Sequence, residues 1–300
     1  MEFPPMVILD VCNVCNLACI HCPHVTLKKE KSYKPTFLRW EHFEKIANEV
    51  GKHPGTLLRY ASDGESLFHP QLIDMVGYAR RVGVKPQNLT TNGCMLDEKM
   101  ARSLLQAGID IIDVSLDAFR RETYERVRRN SNFHRVMSNV HKILELREQL
   151  MPDAKIMVSI VDQPEVADEI DEFVTYWTPL VDRVLVRTLC NVLGLVQTSR
   201  PSISGTQARY PCPQFWKRVT ITSSGHFRFC VEDWRNQTVV GRVEKDSIAE
   251  IWKGEAYENL RKLHLEGQYD AIPICKDCID WQASPWEYGY DYAIARIQNG

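Results

Sequence analysis

The most constraining feature of this chain is a group of three cysteines near its start. Cys15, Cys19 and Cys22 follow a C-x3-C-x2-C spacing, shortly after the apolar run at 6–9. Because such a run predicts a buried strand, we expect the cysteines on the loop that leaves it. Thiolates are soft ligands, so three of them close together suit a [4Fe–4S] cube. Three protein ligands leave one of the four irons open to a substrate or cosubstrate.

The cysteine spacing resembles the signature of the radical SAM superfamily. The resemblance implies that Cys15, Cys19 and Cys22 each bind one iron, while the amine and carboxylate of S-adenosylmethionine (SAM) chelate the fourth. Reduction of such a cluster splits SAM into methionine and a 5′-deoxyadenosyl radical. His21 occupies the position before the last cysteine, where the backbone is expected to face the adenine of SAM. A structural zinc site is the alternative, because C-x2-C pairs are common in zinc sites.

Length and composition limit the classes of protein to which the chain can belong. Its 300 residues allow one large domain, or one domain and a smaller module. A net charge of −2 and the lack of a long apolar stretch give no sign of a nucleic-acid partner or a membrane. Ten cysteines without a visible export signal indicate metal or redox chemistry in a reducing compartment. We therefore expect a cytoplasmic protein.

From residue 6 to about 190, short apolar strands alternate with amphipathic helices. The predicted strands are 6–11, 57–61, 87–91, 111–116, 155–161 and 183–189. The predicted helices are 40–50, 70–82, 97–107, 133–150 and 165–178. This alternation predicts an α/β fold with a parallel sheet and helices outside it. Six units are fewer than the eight of a complete barrel, and the family resemblance implies a partial (β/α)6 barrel.

Ligands of such barrels gather at the carboxyl ends of the strands, and the turn after the second strand resembles a SAM-binding turn. The family usually has a Gly-Gly-Glu-like sequence here, which holds the amino group of SAM. Gly64 and Glu65 match that pattern, whereas Ser62 and Asp63 depart from it. Glycine allows close approach of the backbone to a ligand, and a carboxylate can accept a hydrogen bond from an ammonium. A simple polar turn before a helix is the alternative.

Two further strand ends carry residues that match the family. Asn92 lies in a Thr-Asn-Gly turn that resembles the turn beside the cosubstrate, although Asn-Gly is also an ordinary turn sequence. Ser115 and Asp117 resemble a segment whose polar side chains lie near the ribose or carboxylate of SAM. The segment at 123–128 is expected to be the end of a helix with a basic surface and is given no role.

The sixth predicted strand ends in a charged residue. Arg187 follows an apolar run, and a charge in such a place needs a partner. It can hold the SAM carboxylate or a substrate hydroxyl, or it can belong to a structural ion pair. The next segment contains glycines, prolines and small polar residues without periodicity. It predicts a linker at 191–211 between a barrel at 1–190 and a second module at 212–300.

The second module contains its own set of cysteines. Cys212 and Cys230 flank a predicted hairpin, and Cys275 and Cys278 form a later C-x2-C pair. This arrangement resembles the opening of a SPASM domain. No cysteine follows Cys278, which favours the shortened form, the twitch domain, with a hairpin, a helix and one auxiliary [4Fe–4S] cluster. Four cysteines can bind every iron of a cube, but they also suit tetrahedral zinc.

A fully ligated cluster near the substrate is a ready electron acceptor, so the expected reaction is an oxidation. The overall plan resembles 2-deoxy-scyllo-inosamine dehydrogenase-like enzymes, which oxidise an aminocyclitol alcohol to a ketone. Glu232 lies two residues after Cys230, and it is expected, with Arg187, to bind the substrate hydroxyls. The resemblance implies a sugar or aminocyclitol substrate and an electron donor of the flavodoxin or ferredoxin type.

Three other functions fit parts of this sequence. A peptide-modifying radical SAM enzyme that acts on a ribosomal precursor peptide would use the same two cysteine sets. It is less favoured, because the cluster motif begins at Cys15 and leaves little room for a preceding peptide-recognition domain. A sugar epimerase or decarboxylase would need only the barrel and no net loss of electrons. An iron–sulfur or zinc scaffold that binds a partner would not cleave SAM.

Overall fold

The computed structural model describes residues 2–61, 63–198 and 209–283. Ser62 and parts of the predicted linker and second module therefore lie outside the described residues. The described strands are β1 Met6–Leu9, β2 Leu57–Tyr60, β3 Gln87–Thr91, β4 Ile111–Ser115, β5 Lys155–Asp162, β6 Arg183–Thr188, β7 Arg218–Ile221, β8 His226–Arg228 and β9 Val239–Arg242. The described α-helices are α1 His24–Leu27, α2 Trp40–Val50, α3 Leu72–Arg81, α4 Glu98–Ala107, α5 Arg121–Val127, α6 Phe133–Leu150, α7 Ile170–Trp177, α8 Gln214–Lys217, α9 Ile248–Lys253, α10 Glu255–Leu265 and α11 Pro273–Lys276.

All of these strands join one sheet in the order β6-β5-β4-β3-β2-β1-β7-β8-β9. Neighbouring strands from β1 to β6 pair in parallel. This arrangement confirms the predicted α/β class, with the six parallel strands of a partial barrel. Their carboxyl ends consequently meet at one edge, and the predicted functional residues follow those ends.

The two faces of the parallel strands bury different sets of side chains. Val7, Leu9 and Tyr60 belong to the main apolar core, whereas Met6 and Ile8 belong to a second, small cluster. Successive residues of a strand point to opposite faces of the sheet, so the small cluster is the floor of the barrel interior. Closer to the carboxyl ends, this interior face becomes polar and carries the charged residues described below.

The C-terminal part of the chain continues the barrel sheet. β7 pairs in parallel with β1, and β8 and β9 follow as antiparallel strands. The predicted hairpin is present as β7 and β8. The next strand, β9, pairs with β8 and was not predicted. Helix α2 also contacts this part, because Glu49 accepts hydrogen bonds from the backbone N–H groups of Ile248 and Ala249, each at 2.9 Å. The division at residues 190 and 212 remains a prediction about the domains.

Helix α9 shows how local sequence fixes these elements. The Ser247 side chain accepts a hydrogen bond from the Glu250 backbone, and the Glu250 side chain accepts one from the Ser247 backbone. This reciprocal capping satisfies two backbone donors that a helix start leaves free.

Among the described residues, no helix combines the length and the apolar character that a membrane crossing requires.

Candidate active site

The three N-terminal cysteines lie together on the loop after β1, as predicted. All ten cysteines of the chain are among the described residues, and none forms a disulfide. Burial is the main cause that raises the pKa of the Cys19 thiol to about 11, and the nearby thiol of Cys15 contributes to this shift. Burial also raises the pKa of Cys22, with added contributions from Cys19 and Cys15. The three free thiols are thus close to one another, and each is harder to ionise than an exposed thiol. Together they form a donor set that suits iron.

The backbone of this loop is held against the segment after α5. Ala18 donates its N–H to the carbonyl of Arg129 and Ile20 donates to that of Val127, both at 3.0 Å. These two bonds flank Cys19 on either side. They fix its orientation independently of any bound group.

The turn after β2 holds the loop from the other side. The Glu65 N–H donates to the carbonyl of Val14 at 2.8 Å. The Glu65 carboxylate accepts from the Thr91 hydroxyl at 2.7 Å and from the Asn92 N–H at 2.7 Å. Glu65 thus joins the turns after β2 and β3 to the cluster loop. Both of its carboxylate oxygens accept hydrogen bonds from the protein itself. The contact of Glu65 with the SAM amino group stays a prediction.

Close packing of Gly64 against the loop yields a testable prediction. An added Cβ would lie 2.3 Å from the carbonyl oxygen of Cys12 and 2.7 Å from that of Val14. Gly64→Ala is therefore expected to displace the cluster loop and to cost about 1–3 kcal/mol in unfolding free energy. The measurement is iron content and SAM affinity after anaerobic reconstitution. Gly77→Ala is the control, because its nearest neighbour is the Arg81 side chain at 3.7 Å. Equal behaviour of the two variants would contradict this prediction.

Asn92 lies beside the cluster loop, and its predicted place next to the cosubstrate stays a prediction. Its side-chain amide donates to the Asn16 side-chain oxygen at 2.8 Å and lies 3.9 Å from the Cys15 sulfur. Its side-chain oxygen accepts from the Cys94 N–H at 2.9 Å. Asn92 thus orients the first cysteine of the set. A donor beside a thiolate ligand is also a means of tuning a cluster.

Asp117 is the centre of a buried charged group next to the loop. It is 1% exposed and has a left-handed backbone, with φ of 60°. Arg128 contacts the Asp117 carboxylate at 2.5 Å and His21 does so at 3.2 Å. Although burial disfavours the carboxylate, Arg128 and His21 hold the Asp117 pKa well below its usual range. Ser115 is the last residue of β4 and is half-buried. The strand therefore ends one residue before its predicted end at 116.

Arg128 corrects the expectation of a basic surface at 123–128. It is only 5% exposed and lies against Asp117 and close to Cys19. A signal was available in the sequence, because Arg128 directly follows α5 and is four residues after the buried Tyr124, a spacing that places two residues on one side of a helix. The charge alone suggested exposure, whereas the periodicity indicated burial.

A cavity of about 360 Å³ lies beside the cluster loop and the ends of β5 and β6. His21, Gln163 and Leu189 are among its lining residues. Its volume is within the range of small-molecule sites. His21 lines this cavity, and the contact of its backbone with the adenine of SAM stays a prediction.

Arg187 lies on the interior face of β6 in an ion pair with Asp113 of β4. Asp113 is fully buried, and Arg59 of β2 approaches it to 4.0 Å while donating to the Thr90 hydroxyl at 3.0 Å. The structural ion pair considered for Arg187 is therefore present. The Arg187 side chain keeps 31% exposure, so it remains able to contact a ligand in the interior.

The four cysteines of the second set also come together. Burial raises the pKa of the Cys212 thiol to about 11, and Cys278 adds to the shift. Burial raises the pKa of Cys275 to about 12, with contributions from Cys278 and Cys212. Burial also raises the pKa of the Cys230 thiol, with contributions from Cys212 and Cys278. Cys212 and Cys278 thus lie near both other cysteines, and the four free thiols form a donor set that suits a fully ligated cluster.

Glu232 lies at the junction of this set with the barrel. The Cys190 sulfur and the carboxylates of Glu232 and Asp280 each provide an atom within 4.8 Å of the others. Asp280 accepts from the backbone N–H groups of Asn191 and Val192 at 2.6 and 2.8 Å. Burial, with Asp280 nearby, raises the Glu232 pKa to about 7. The predicted substrate residue Glu232 is therefore beside Cys190, which lies two residues after the end of β6 and three residues after Arg187.

Asp63, which departs from the family pattern, has a partner that the sequence did not reveal. Arg228 is fully buried and donates to both Asp63 oxygens, at 2.8 and 2.6 Å. The same guanidinium donates to the carbonyls of Val231 and Asp233, at 3.3 and 2.9 Å. One ion pair thus connects the turn that precedes Gly64 with the loop that carries Cys230.

Comparison with known families agrees with this geometry. The family model described as "Radical SAM superfamily" matches residues 9–175, which is more than half of the chain. The chain belongs to the radical SAM superfamily. A second model, described as a SPASM iron-sulfur cluster-binding domain, matches residues 212–279 and contains all four cysteines of the second set.

Curated relatives of this radical SAM enzyme match only part of it. The GTP 3′,8-cyclase of Petrotoga mobilis is 30% identical over 140 residues, covering 46% of this chain and 42% of the relative. That of Limosilactobacillus fermentum is 28% identical over 176 residues, covering 56% and 48%. The chain therefore spans less than half the length of these relatives.

Solved structures match the radical SAM enzyme over nearly its whole length. BtrN in complex with AdoMet and 2-DOIA has a TM-score of 0.68 at 17% identity, covering 95% of this chain and 97% of BtrN. Streptococcus suis SuiB bound to S-adenosylmethionine has a TM-score of 0.71 at 14% identity, covering 92% and 72%. At these identities the likeness establishes the shared fold.

Family membership establishes the cofactors of the enzyme. It binds SAM and a [4Fe–4S] cluster, and its SPASM domain binds an auxiliary iron–sulfur cluster. The two groups of free cysteines, which are partly or fully buried, suit these clusters in number, because three leave an iron open for SAM and four leave none. The assignment of individual residues to each cluster and to SAM remains a prediction from the sequence.

Proposed function

We propose that this radical SAM enzyme oxidises a secondary alcohol of a sugar or aminocyclitol to a ketone. The observation that carries the proposal is the second thiol set with Glu232 beside it, at the end of β6. When bound, the cofactors supply a 5′-deoxyadenosyl radical that removes the carbinol hydrogen, and an auxiliary cluster that accepts the remaining electron. The likeness to BtrN, solved with AdoMet and 2-DOIA, also supports a small-molecule substrate.

The chain's own residues would bind the alcohol and remove its proton. The Glu232 carboxylate forms no hydrogen bond or ion pair within the described residues. It is therefore available to accept the hydroxyl proton when the carbinol carbon is oxidised. Arg187, held by Asp113, can donate to a substrate oxygen from the barrel interior. Substrate would then lie between these two side chains.

We propose that the predicted residues on the loop and strand ends hold SAM and the clusters. Cys15, Cys19 and Cys22 would bind the SAM-dependent cluster. SAM would contact the residues that converge on that loop, namely His21, Gly64, Glu65, Asn92, Ser115 and Asp117. The auxiliary cluster of a twitch-type module would be bound by Cys212, Cys230, Cys275 and Cys278. An electron carrier of the flavodoxin or ferredoxin type would supply the first electron.

The test is a product analysis with a panel of sugars and aminocyclitols, a chemical reductant and SAM. The expected result is one ketone for each 5′-deoxyadenosine formed, with deuterium from a labelled carbinol carbon found in 5′-deoxyadenosine. Glu232→Gln should lower ketone formation by about 100-fold, as is typical for loss of a general base. The rate at which Glu232→Gln forms 5′-deoxyadenosine without substrate should equal that of the wild-type protein.

Other outcomes would replace the proposal. Return of the hydrogen to an epimerised product would indicate a redox-neutral epimerase. Carbon dioxide release would indicate a decarboxylase. Reaction only with a precursor peptide, which SuiB binds in one of its solved structures, would indicate a peptide-modifying enzyme. Full ketone formation by Glu232→Gln would remove Glu232 from the mechanism.

A further inference from the structure

An unusual concentration of positive charge follows the cluster motif. Lys28, Lys29, Lys31 and Lys34 are all exposed and occur within seven residues. We call these four residues the lysine patch. None of them forms an ion pair among the described residues. The chain as a whole has a net charge of −2, so this patch differs in sign from the rest of the protein.

The carboxylate inside this segment does not neutralise the patch. Glu30 pairs with Arg235 of the C-terminal part at 2.6 Å. The guanidinium of Arg235 therefore balances the charge of Glu30, and the four lysines keep their combined positive charge. The pair also ties the segment to the second module.

The patch is held directly beside the cluster loop. Asn13, two residues before Cys15, donates from its side chain to the Lys34 carbonyl at 2.9 Å. The Tyr33 hydroxyl donates to the Asn13 carbonyl at 3.0 Å, and the Thr36 N–H donates to the Asn13 side-chain oxygen at 2.7 Å. These bonds fold the segment back onto the start of the loop. The patch is thus a surface next to the SAM-dependent cluster.

A cluster in this position must receive its electron from outside the enzyme. One electron leaves a reduced carrier and enters the cluster, and no bond forms or breaks in that step. Encounters between electron-transfer proteins use small interfaces, and complementary charge mainly accelerates association. We infer that the lysine patch is the docking surface for an acidic one-electron carrier protein. This inference rests on the part of the proposed function that names such a carrier as the donor.

The test compares two reductants and two charge-matched variants. The patch variant is Lys28→Glu/Lys29→Glu. The control variant, Lys52→Glu/Lys85→Glu, makes the same charge change at exposed sites before β2 and β3, at the opposite end of the barrel. The rate of 5′-deoxyadenosine formation is measured with a strongly acidic flavodoxin and, separately, with dithionite. At low salt, the patch variant should lose about 10-fold or more in kcat/KM for flavodoxin.

The control variant should keep its flavodoxin rate, and all proteins should react equally with dithionite. The wild-type flavodoxin rate should fall steeply with ionic strength, and the patch variant should lose that dependence. Equal loss in both variants, no loss in either, or loss with dithionite as well would overturn the docking inference. Lys31→Glu/Lys34→Glu repeats the test if the first variant folds poorly. Failure of wild-type protein to cleave SAM with dithionite would instead contradict the proposed function.

Discussion

Replacing Cys15, Cys19 and Cys22 together by alanine is expected to lower the iron content from about eight to about four atoms per chain. The same variant should lose SAM cleavage completely, because the second thiol set has four cysteines and would leave no iron open for SAM. The second thiol set is separate in sequence and should keep its own cluster. Iron and sulfide analysis after anaerobic reconstitution measures the first effect, and 5′-deoxyadenosine formation measures the second.

A reciprocal variant provides the matched control. Cys212, Cys275 and Cys278 replaced together by alanine should also retain about four irons, but this protein should still form 5′-deoxyadenosine. Loss of all iron from both variants would indicate that the clusters do not assemble independently. About four irons in the wild-type protein, with zinc bound in addition, would make the C-terminal site structural and would contradict the role of an auxiliary electron acceptor.

Arg228→Met is expected to cause a large loss of stability. It leaves the carboxylate of Asp63 in a buried place without its bidentate partner, at a typical cost of about 3–5 kcal/mol. The Arg228 side chain is fully buried, and that of Asp63 is 11% exposed, so solvent screens this pair little. Two carbonyls of the loop around Cys230 also lose their donor, so auxiliary iron should dissociate faster.

The measurement is anaerobic unfolding in denaturant, together with the rate of iron loss to a chelator. Asp63→Asn/Arg228→Met should be less destabilised than Arg228→Met, because the side chain at position 63 then carries no charge that has lost its partner. Arg102→Met is the control, since its pair with Glu98 is exposed and should be worth less than about 1 kcal/mol. Similar costs for Arg228→Met and Arg102→Met would show that the buried pair contributes little.

The sequence was informative wherever the signal was local. The apolar runs predicted all six parallel strands of the barrel, since alternation of strands and helices is visible in short windows. The two cysteine sets were identified from spacing alone. The hairpin at β7 and β8 was predicted from alternation and a turn containing Gly225, whose φ of 78° suits glycine.

What the sequence did not reveal depends on pairing across long distances. Arg228 and Asp63 are separated by 165 positions, and they meet because β2 and β8 belong to one sheet, with β1 and β7 between them. The pairing of β7 with β1 is equally remote, and the sequence did not predict it. Arg128 was misjudged because charge was weighted above the periodicity of α5. In each case tertiary contacts decided the environment of a charged side chain.

The most direct test of the central claim is electron paramagnetic resonance of the auxiliary cluster during a single turnover. The SAM-dependent cluster is reduced first, excess reductant is removed, and a substrate found in the panel is added with SAM. We predict that one reduced auxiliary cluster appears for each ketone formed. Ketone formation without that signal, or product formation with the hydrogen returned from 5′-deoxyadenosine, would contradict the account.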